Sequence, residues 1–526
     1  MSVFLRQTSR GFGLIVALAA ATGAQEKACE VNEGRPNQVA RALLAIQVAT
    51  ESQKPDEVAK QLTNAVRLLT ENGDRMDNQP GRNFVLGKAL VLWAMQPNVA
   101  MTSQRGALGF ATDAAGEVDL AAAIDSAFRV VETAHPECIS ETLRWRGQKP
   151  WVDLVNSSIE FLALSPDSAE RDARRAIMLN PFAPYGYVIL AQALQRKNNG
   201  SEALAMYRKG IELAARDTIY DDIRRQSLLY LADLNADSAE MAADSTARRP
   251  YLAAANEALG QVMSDPNVGA LAANARAGLC RVAIITGDTA SLRQTYRAPL
   301  AAPATFSYGE LMNAGVCMAR ADMIPEATVI FEAAAVQNPW HRDALSNLAI
   351  MLVQSNQHEK ALPYTARLLT LDPNNEENLQ LAVLAYAGKV SRIRTARGGA
   401  PATKAGARPA APRMSAAVND SLFRIEKAYL DSAVVMTERK EKLAYAVTLT
   451  EFNISDQRAL VSGIVRNQGT QSKPISVHVD FLDKDGNVLK SQQSELGTIE
   501  AGASARFSIT AAPGTSVSAF RYRRIE

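Results

Sequence analysis

The chain has 526 residues, of which 47% are hydrophobic, and a formal net charge of +2. That length exceeds what one compact core holds, so several domains or a repeating array are expected. The apolar content excludes a wholly disordered chain, and the near-neutral balance excludes a nucleic-acid binder built on a dense basic face.

At the N-terminus, Arg6 and Arg10 flank the start of a short apolar run, Gly11 to Ala21, and Thr22-Gly23-Ala24 places small residues at a cleavage position. Residues 1–24 therefore read as a signal peptide with Gln25 as the mature start, which implies export to the periplasm or the extracellular space. The run is far shorter than the roughly 20 apolar residues that span a bilayer, and no later segment is long or apolar enough to do so. Glu26-Lys27-Ala28 ahead of Cys29 lacks the aliphatic residues of a lipidation signal. The cysteines are Cys29, Cys138, Cys280 and Cys317; none forms a C-x-x-C pair, so zinc and thiol-exchange chemistry have no support. In an oxidising compartment Cys29 and Cys138 either bridge, stapling the mature N-terminus onto the first helices, or stay as two separate thiols.

Helical patterns follow. Residues 38–70 and 82–133 read as two helical hairpins, the second interrupted by a Gly/Ser/Thr-rich loop near 95–117, and 149–180 and 221–263 read as further hairpins. A fixed period ties the chain together. Ala327 and Ala361 stand 34 residues apart, with Pro339 and Pro373 twelve positions after them and Gly315 and Ala349 twelve before. Leu311 and Leu345 lie four positions earlier still. Ala169 and Ala203 repeat the step of 34, with Ala176 and Gly210 seven positions on, and Gly278 and Ala290 repeat the small–small spacing of twelve. The helical spacing of Leu345, Leu348, Ala349 and Leu352 gives the apolar face that one hairpin cannot bury alone. Close crossing of two helices needs Gly or Ala at the contact. These positions resemble the tetratricopeptide family, and the fold class expected is mainly α: a tetratricopeptide-type α-solenoid of about eight or nine hairpins over residues 25–388.

After Gly388 the composition changes. Residues 389–416 are rich in Ala, Arg, Gly and Pro and carry Lys389, Arg392, Arg394, Arg397, Lys404, Arg408 and Arg413 without an acidic residue, so a flexible basic segment is expected. Residues 417–440 contain a helix, over 419–436, with Leu422, Ile425, Tyr429 and Val435 along one side. It is expected to return and cap the solenoid by packing on a lone helix at 376–387.

From Tyr445 the period becomes two. Val447, Leu449 and Phe452, then Leu460, Val461, Ile464 and Val465, then Ile475, Val477, Val479 and Phe481 mark strands, and Asp485-Gly486 marks a hairpin turn. About seven short strands predict a small β-sandwich over residues 441–526. Ser462-Gly463-Ile464-Val465-Arg466-Asn467, Val479 to Gly486 and Ile499-Glu500-Ala501-Gly502 before Phe507 resemble the FxLYD family of extracytoplasmic β-sandwiches, with Leu482 in place of the usual aromatic. The resemblance implies an interaction module and no catalytic residues.

A search for chemistry finds little. The four histidines form no i, i+4 pair for a metal; Leu362 stands where a zinc-protease motif after His358-Glu359 needs its second histidine. Phe481 and Gln492 occupy positions where a calcium loop around Asp483 and Asp485 needs high-charge oxygen donors. No G-x-S-x-G elbow occurs. The chain is read as no enzyme, with no cofactor and no metal. The tetratricopeptide resemblance places partner contacts on the first helix of each repeat: Tyr185, Val188, Gln192 and Gln195 in one repeat, Met312, Val316 and Ala319, then Ser346, Ile350 and Val353, in two later ones. The expected function is an exported protein–protein interaction scaffold or adaptor of the cell envelope. The alternative is an envelope protein that binds anionic polysaccharide or peptidoglycan through the basic segment and the β-domain.

Overall fold

The computed structural model describes residues 29–31, 33–398, 415–455, 458–512 and 516–526. The signal-peptide reading of residues 1–24, and Lys404, Arg408 and Arg413 of the basic segment, lie outside the described residues. The chain divides into two units, residues 1–234 and 235–526.

The N-terminal unit contains four consecutive helix pairs: Asn37–Glu51 with Pro55–Thr70, Gln79–Ala94 with Leu120–Ala134, Lys149–Leu164 with Pro166–Leu179, and Pro184–Arg196 with Gly200–Ala214. Local chemistry starts these helices where they start. Prolines take the first turn at Pro55, Pro166 and Pro184. Asn78, Asp119 and Ser165 accept hydrogen bonds from the free amides at their helix ends. The interruption near 95–117 is ordered as a two-stranded ribbon, β1 (Thr102–Gln104) antiparallel to β2 (Glu117–Asp119). Small residues sit where helices cross. Ala169, Ala176 and Ala203 are fully buried, and a Cβ on Gly87 would fall 2.5 Å from the Phe128 ring. Cys29 and Cys138 form a disulfide with 4.7 Å between their Cα atoms. Closing a loop of 109 residues restricts the unfolded chain by about 5 kcal/mol on a chain-entropy count.

The C-terminal unit continues with Ser245–Ser264, Leu271–Thr286, and a helix broken into Thr289–Thr295 and Arg297–Ala301. Here the expected Gly278–Ala290 crossing does not form. Gly278 packs instead against Leu259 of the preceding helix, and Ala290 is exposed on the broken one. Three regular pairs follow: Tyr308–Arg320 with Ile324–Gln337, Arg342–Gln354 with His358–Leu371, and Glu376–Ala396 with Ala416–Glu441. In the first, Gly315 lies under Phe331, where a Cβ would be 2.5 Å from the ring. Leu311, Leu345, Leu348, Ala349 and Leu352 are wholly buried. Cys280 and Cys317, on the first helices of neighbouring repeats, form a second disulfide, with 5.9 Å between Cα atoms.

The last pair corrects one boundary. The helix beginning at Glu376 continues past Gly388 to Ala396, because Val390 and Ile393 extend its buried face. Gly388 lies against the His358 ring, 2.3 Å from where a Cβ would sit, so a larger residue there would displace that ring. The basic segment is therefore helical at its start and its first cations are engaged. Lys389 pairs with Glu359, Arg392 donates to the carbonyl of Asn356 at 3.2 Å, and Arg394 and Arg397 both bind Glu426 on the final helix.

Among the described residues six strands, rather than about seven, form the β-domain: β3 (Tyr445–Ile454), β4 (Ala459–Asn467), β5 (Lys473–Leu482), β6 (Val488–Ile499), β7 (Ser504–Ala511) and β8 (Ala519–Tyr522). They make two antiparallel sheets, ordered β3-β4-β7 and β6-β5-β8, which share an apolar cluster including Val447, Val461, Val479, Phe481, Phe507, Phe520 and Tyr522. Gly486 turns the β5–β6 hairpin with φ +87°, while Asp483 Oδ1 accepts from the amides of Asp485 and Asn487.

The β-domain is docked on the last repeats. The exposed edges of β3 and β8 bring unpaired backbone groups to one seam, and the turn Leu371–Asn375 fills it. Asn374 is fully buried. Its Nδ2 donates to the carbonyls of Tyr445 and Ile525, both at 2.8 Å, and its Oδ1 accepts from the Ile525 amide at 2.9 Å. Its own carbonyl accepts from the Val447 amide at 2.9 Å. The Tyr522 hydroxyl accepts from the Asn374 amide and donates to Asp372 at 2.6 Å. Burial, with Asp372 beside it, holds that phenol well above its ordinary pKa, so the donor is permanent. Leu482 and Ala519 join Leu345, Leu368 and Leu371 in one cluster.

Candidate partner-binding cleft

The helices Tyr308–Arg320, Arg342–Gln354 and Glu376–Ala396 are the first helices of three successive pairs. A step of 34 residues relates Val316, Ile350 and Leu384, so one equivalent position carries an aliphatic side chain three times. Val316 is 40% and Leu384 46% exposed, and Ile350 is half-buried. Between the second and third helices lies a cleft of about 520 Å³ whose apolar lining is Ile350, Val353, Leu381 and Leu384. Ser346 and Gln380 line it as well, again one repeat apart. Glu376 and Glu377 lie at the N-terminal end of their helix on its rim, and Lys440 enters from the final helix. Lys440 donates to Gln380 at 2.6 Å, and Gln468 of the β-domain donates to Glu376 at 2.5 Å, so both rims are held in place.

Of the residues expected on partner-facing helices, Ser346, Ile350 and Val353 meet in this cleft. Val316 continues the row, whereas Met312 and Ala319 are half-buried against the repeat core. The four in the N-terminal unit are largely structural. Tyr185 sits edge-on between Trp151 and Tyr220, with ring centres 6.2 and 5.9 Å away. Val188 is buried beneath Gly210. Gln192 hydrogen-bonds the Tyr230 phenol, and Gln195 accepts from Tyr207 at 3.2 Å. Glu376, Glu377, Gln380, Leu381, Leu384 and Lys440 were not among the expected residues. The signal for Gln380 and Leu384 is the same step of 34 taken once more from Ser346 and Ile350.

Beside the docked β-domain, Tyr308, His341, Phe452 and Phe520 form a chain of rings with successive centres 4.6, 5.7 and 4.7 Å apart. A small cavity of about 180 Å³ adjoins it, faced by Arg342, Asp343 and Glu451. Burial lowers the His341 pKa, Asp343 opposes the shift and Arg342 adds to it. The folded protein thus disfavours the imidazolium, and the unfolded chain takes up the proton first as pH falls below about 6.5. Stability is expected to be full above that pH and to be lost toward the lowered folded value, by at most about 1.4 kcal/mol per pH unit. Thermal melts at descending pH will show this as a steeper acid slope in the parent than in His341→Gln; identical slopes would exclude it.

No protein-family model matches the chain, and no curated protein is similar enough to pair with it. Solved structures similar to it include TTC0263, a thermophilic tetratricopeptide-repeat protein of Thermus thermophilus, at 17% identity over 46% of this chain and 99% of that one (TM-score 0.21). YrrB, a tetratricopeptide-repeat protein with an unusual peptide-binding site, is 19% identical over 41% of this chain and 97% of that one (TM-score 0.27). Yeast Tom70 is 16% identical over 70% and 69% (TM-score 0.28). No helix among the described residues is long and apolar enough to cross a membrane.

Proposed function

We propose that the protein is an exported, non-enzymatic scaffold that holds a protein partner along the aliphatic row Val316, Ile350 and Leu384, with the β-domain fixed beside it. The observation that carries this reading is the row itself. Ile350 and Leu384 line a cleft whose polar rim is already braced, Val316 is exposed at the equivalent position one repeat earlier, and aliphatic side chains left at the surface in this way support an interaction site. The signal-type N-terminus and the pairing of all four cysteines support export, since such bridges persist in oxidising compartments. The FxLYD resemblance of the β-domain fits the same setting and supplies an accessory module without catalytic groups.

Binding of an anionic envelope polymer by the basic segment is the weaker reading. Lys389, Arg392, Arg394 and Arg397 already have partners within the last two helical pairs.

Affinity capture from envelope extracts tests the scaffold reading. The parent is expected to retain a partner that an Ile350→Arg, Leu384→Arg variant loses, with helical content unchanged by circular dichroism. Equal capture by both proteins would move the site off this row.

A further inference from the structure

A separate apolar surface lies on the last helix of the repeats, and what it implies does not depend on the cleft. The helix Ala416–Glu441 leaves Val418, Phe423, Ile425, Leu430, Val434 and Val435 between 42 and 57% exposed. No other described helix exposes more than three large apolar side chains. Grouped exposure of this kind marks an interface. Phe423, Leu430 and Val434 stand at i, i+7 and i+11 and so form one stripe. It runs beside the buried line of Glu426 and Ala433, which faces the helix Glu376–Ala396. Arg397 stacks on Phe423, its guanidinium carbon 4.8 Å from the ring centre, and holds that side chain in place.

The position of this helix in the stack shows what it lacks. Earlier in the unit each pair is covered by the next: Ile324–Gln337 packs on Arg342–Gln354, and His358–Leu371 on Glu376–Ala396. Ala416–Glu441 is the second helix of the last pair, and among the described residues no further helix follows it. A repeat array that ends in solvent needs a polar outer face on its last helix. This one keeps an apolar stripe instead.

The charges beside the stripe select the occupant. Lys427 and Asp431 flank Leu430, are exposed, and have no partner among the described residues. A patch with one charge of each sign complements a second copy of itself under two-fold symmetry, where residue i meets j and j meets i. Set two such helices antiparallel, and Phe423 of each meets Val434 of the other while Lys427 of each meets Asp431 of the other. The midpoints of these two pairings lie within about half a residue, roughly 0.8 Å along a helix, so one axis serves both. It passes beside Leu430, and the two leucines meet there.

We propose that the protein self-associates through this helix as an antiparallel two-fold pair, each copy supplying the helix that the other's stack lacks. The pair presents every binding surface of the chain twice.

Sedimentation equilibrium of the full chain tests this. The parent is expected to dimerise within about 1–100 µM. Leu430→Glu should weaken dimerisation at least about hundredfold, because the change enters the contact twice. The position is exposed, and circular dichroism verifies the fold. Lys427→Asp and Asp431→Lys should each dimerise at least about tenfold more weakly than the parent. An equimolar mixture of those two variants should recover the parent's affinity, since it restores both contacts of opposite sign. A parent that stays monomeric to about 100 µM, a dimer indifferent to Leu430→Glu, or a mixture no tighter than its components would each overturn the inference. So would a monomeric parent that binds anionic vesicles through Leu430, which assigns the stripe to a lipid surface.

Discussion

Asn374→Ala is expected to release the β-domain from the repeats. The side chain makes three hydrogen bonds, two donated to the Tyr445 and Ile525 carbonyls and one accepted from the Ile525 amide, at a position with no solvent exposure. Truncation leaves those backbone groups buried without partners, and each costs about 1–3 kcal/mol. The sum, about 3–6 kcal/mol allowing for relaxation and water entry, is of the order of a whole domain's stability. Undocking rather than global unfolding is the expected response, because the sheet keeps its own apolar cluster. Hydrogen exchange should accelerate at Tyr445–Val447 and Arg523–Glu526 while the β4 and β5 amides stay protected. Asn374→Asp should do no better, since a carboxylate accepts but cannot donate to two carbonyls and lies near Asp372. Unchanged exchange at Tyr445–Val447 in the alanine variant would show that the apolar contacts alone suffice.

The second large effect belongs to the N-terminal unit. Arg146 is 1% exposed. Its guanidinium donates to both Glu132 oxygens at 2.7 and 3.0 Å, to Asp125 at 3.1 Å, and to the carbonyls of Met178 and Leu179 at 3.0 Å each. It thus ties the second helical pair to the end of the helix Pro166–Leu179, whose last carbonyls need a donor. Arg146→Met keeps most of the volume but leaves Glu132 without a cation in a poorly hydrated site, held by the Thr142 hydroxyl alone, while Asp125 keeps Arg129; an unpaired buried charge costs about 3–5 kcal/mol. For a unit of this size that is a fall of roughly 10 °C in Tm. Adding Glu132→Gln should recover part of the loss, because the uncompensated charge causes most of it. Arg146→Lys should recover little, because an ammonium has three donors and no fork to span both carboxylates. Calorimetry that finds a loss below about 1 kcal/mol would mean the site hydrates or repacks readily.

The repeat architecture was legible because its causes are local and periodic. Ala327, Ala361, Gly315 and Ala349 are small for the reason visible in their spacing: the three alanines are wholly buried, and Phe331 occupies the space over Gly315. The switch to period two at Tyr445 announced a sheet in the same way. Part of the cleft was legible too, since Ser346, Ile350 and Val353, three of its lining residues, follow from repeat position. Leu384 lay inside the expected helix at 376–387 and follows from the same step of 34 as Ile350; what reading Gly388 as a helix end hid was the continuation to Ala396. Inside a helix a glycine normally counts against continuation, but here Val390 and Ile393 carry the buried face on and Gly388 lies against the His358 ring of the neighbouring helix. The Gly278–Ala290 pair misled in the opposite direction, matching the spacing while the second helix breaks near Pro299. Asn374 and Arg146 were invisible for a different reason. Each satisfies groups that are distant in sequence, 71 and 151 residues away for Asn374, and nothing in the neighbouring residues distinguishes Leu371-Asp372-Pro373-Asn374 from an ordinary turn. Cys280 and Cys317 likewise pair through the stacking of two repeats.

Apart from Tyr522 and the apolar contacts around Leu482 and Ala519, Asn374 recognises main-chain atoms of Tyr445, Val447 and Ile525. A joint of that kind reads the course of the strands and is indifferent to which side chains they carry. The three residues it holds are therefore free to vary while the asparagine stays, and covariation among homologues is expected to be silent about this half of the contact. The outer face of the β-domain and the lining of the cleft are free to diverge at separate rates, toward different partners, while one asparagine keeps them in a fixed relation.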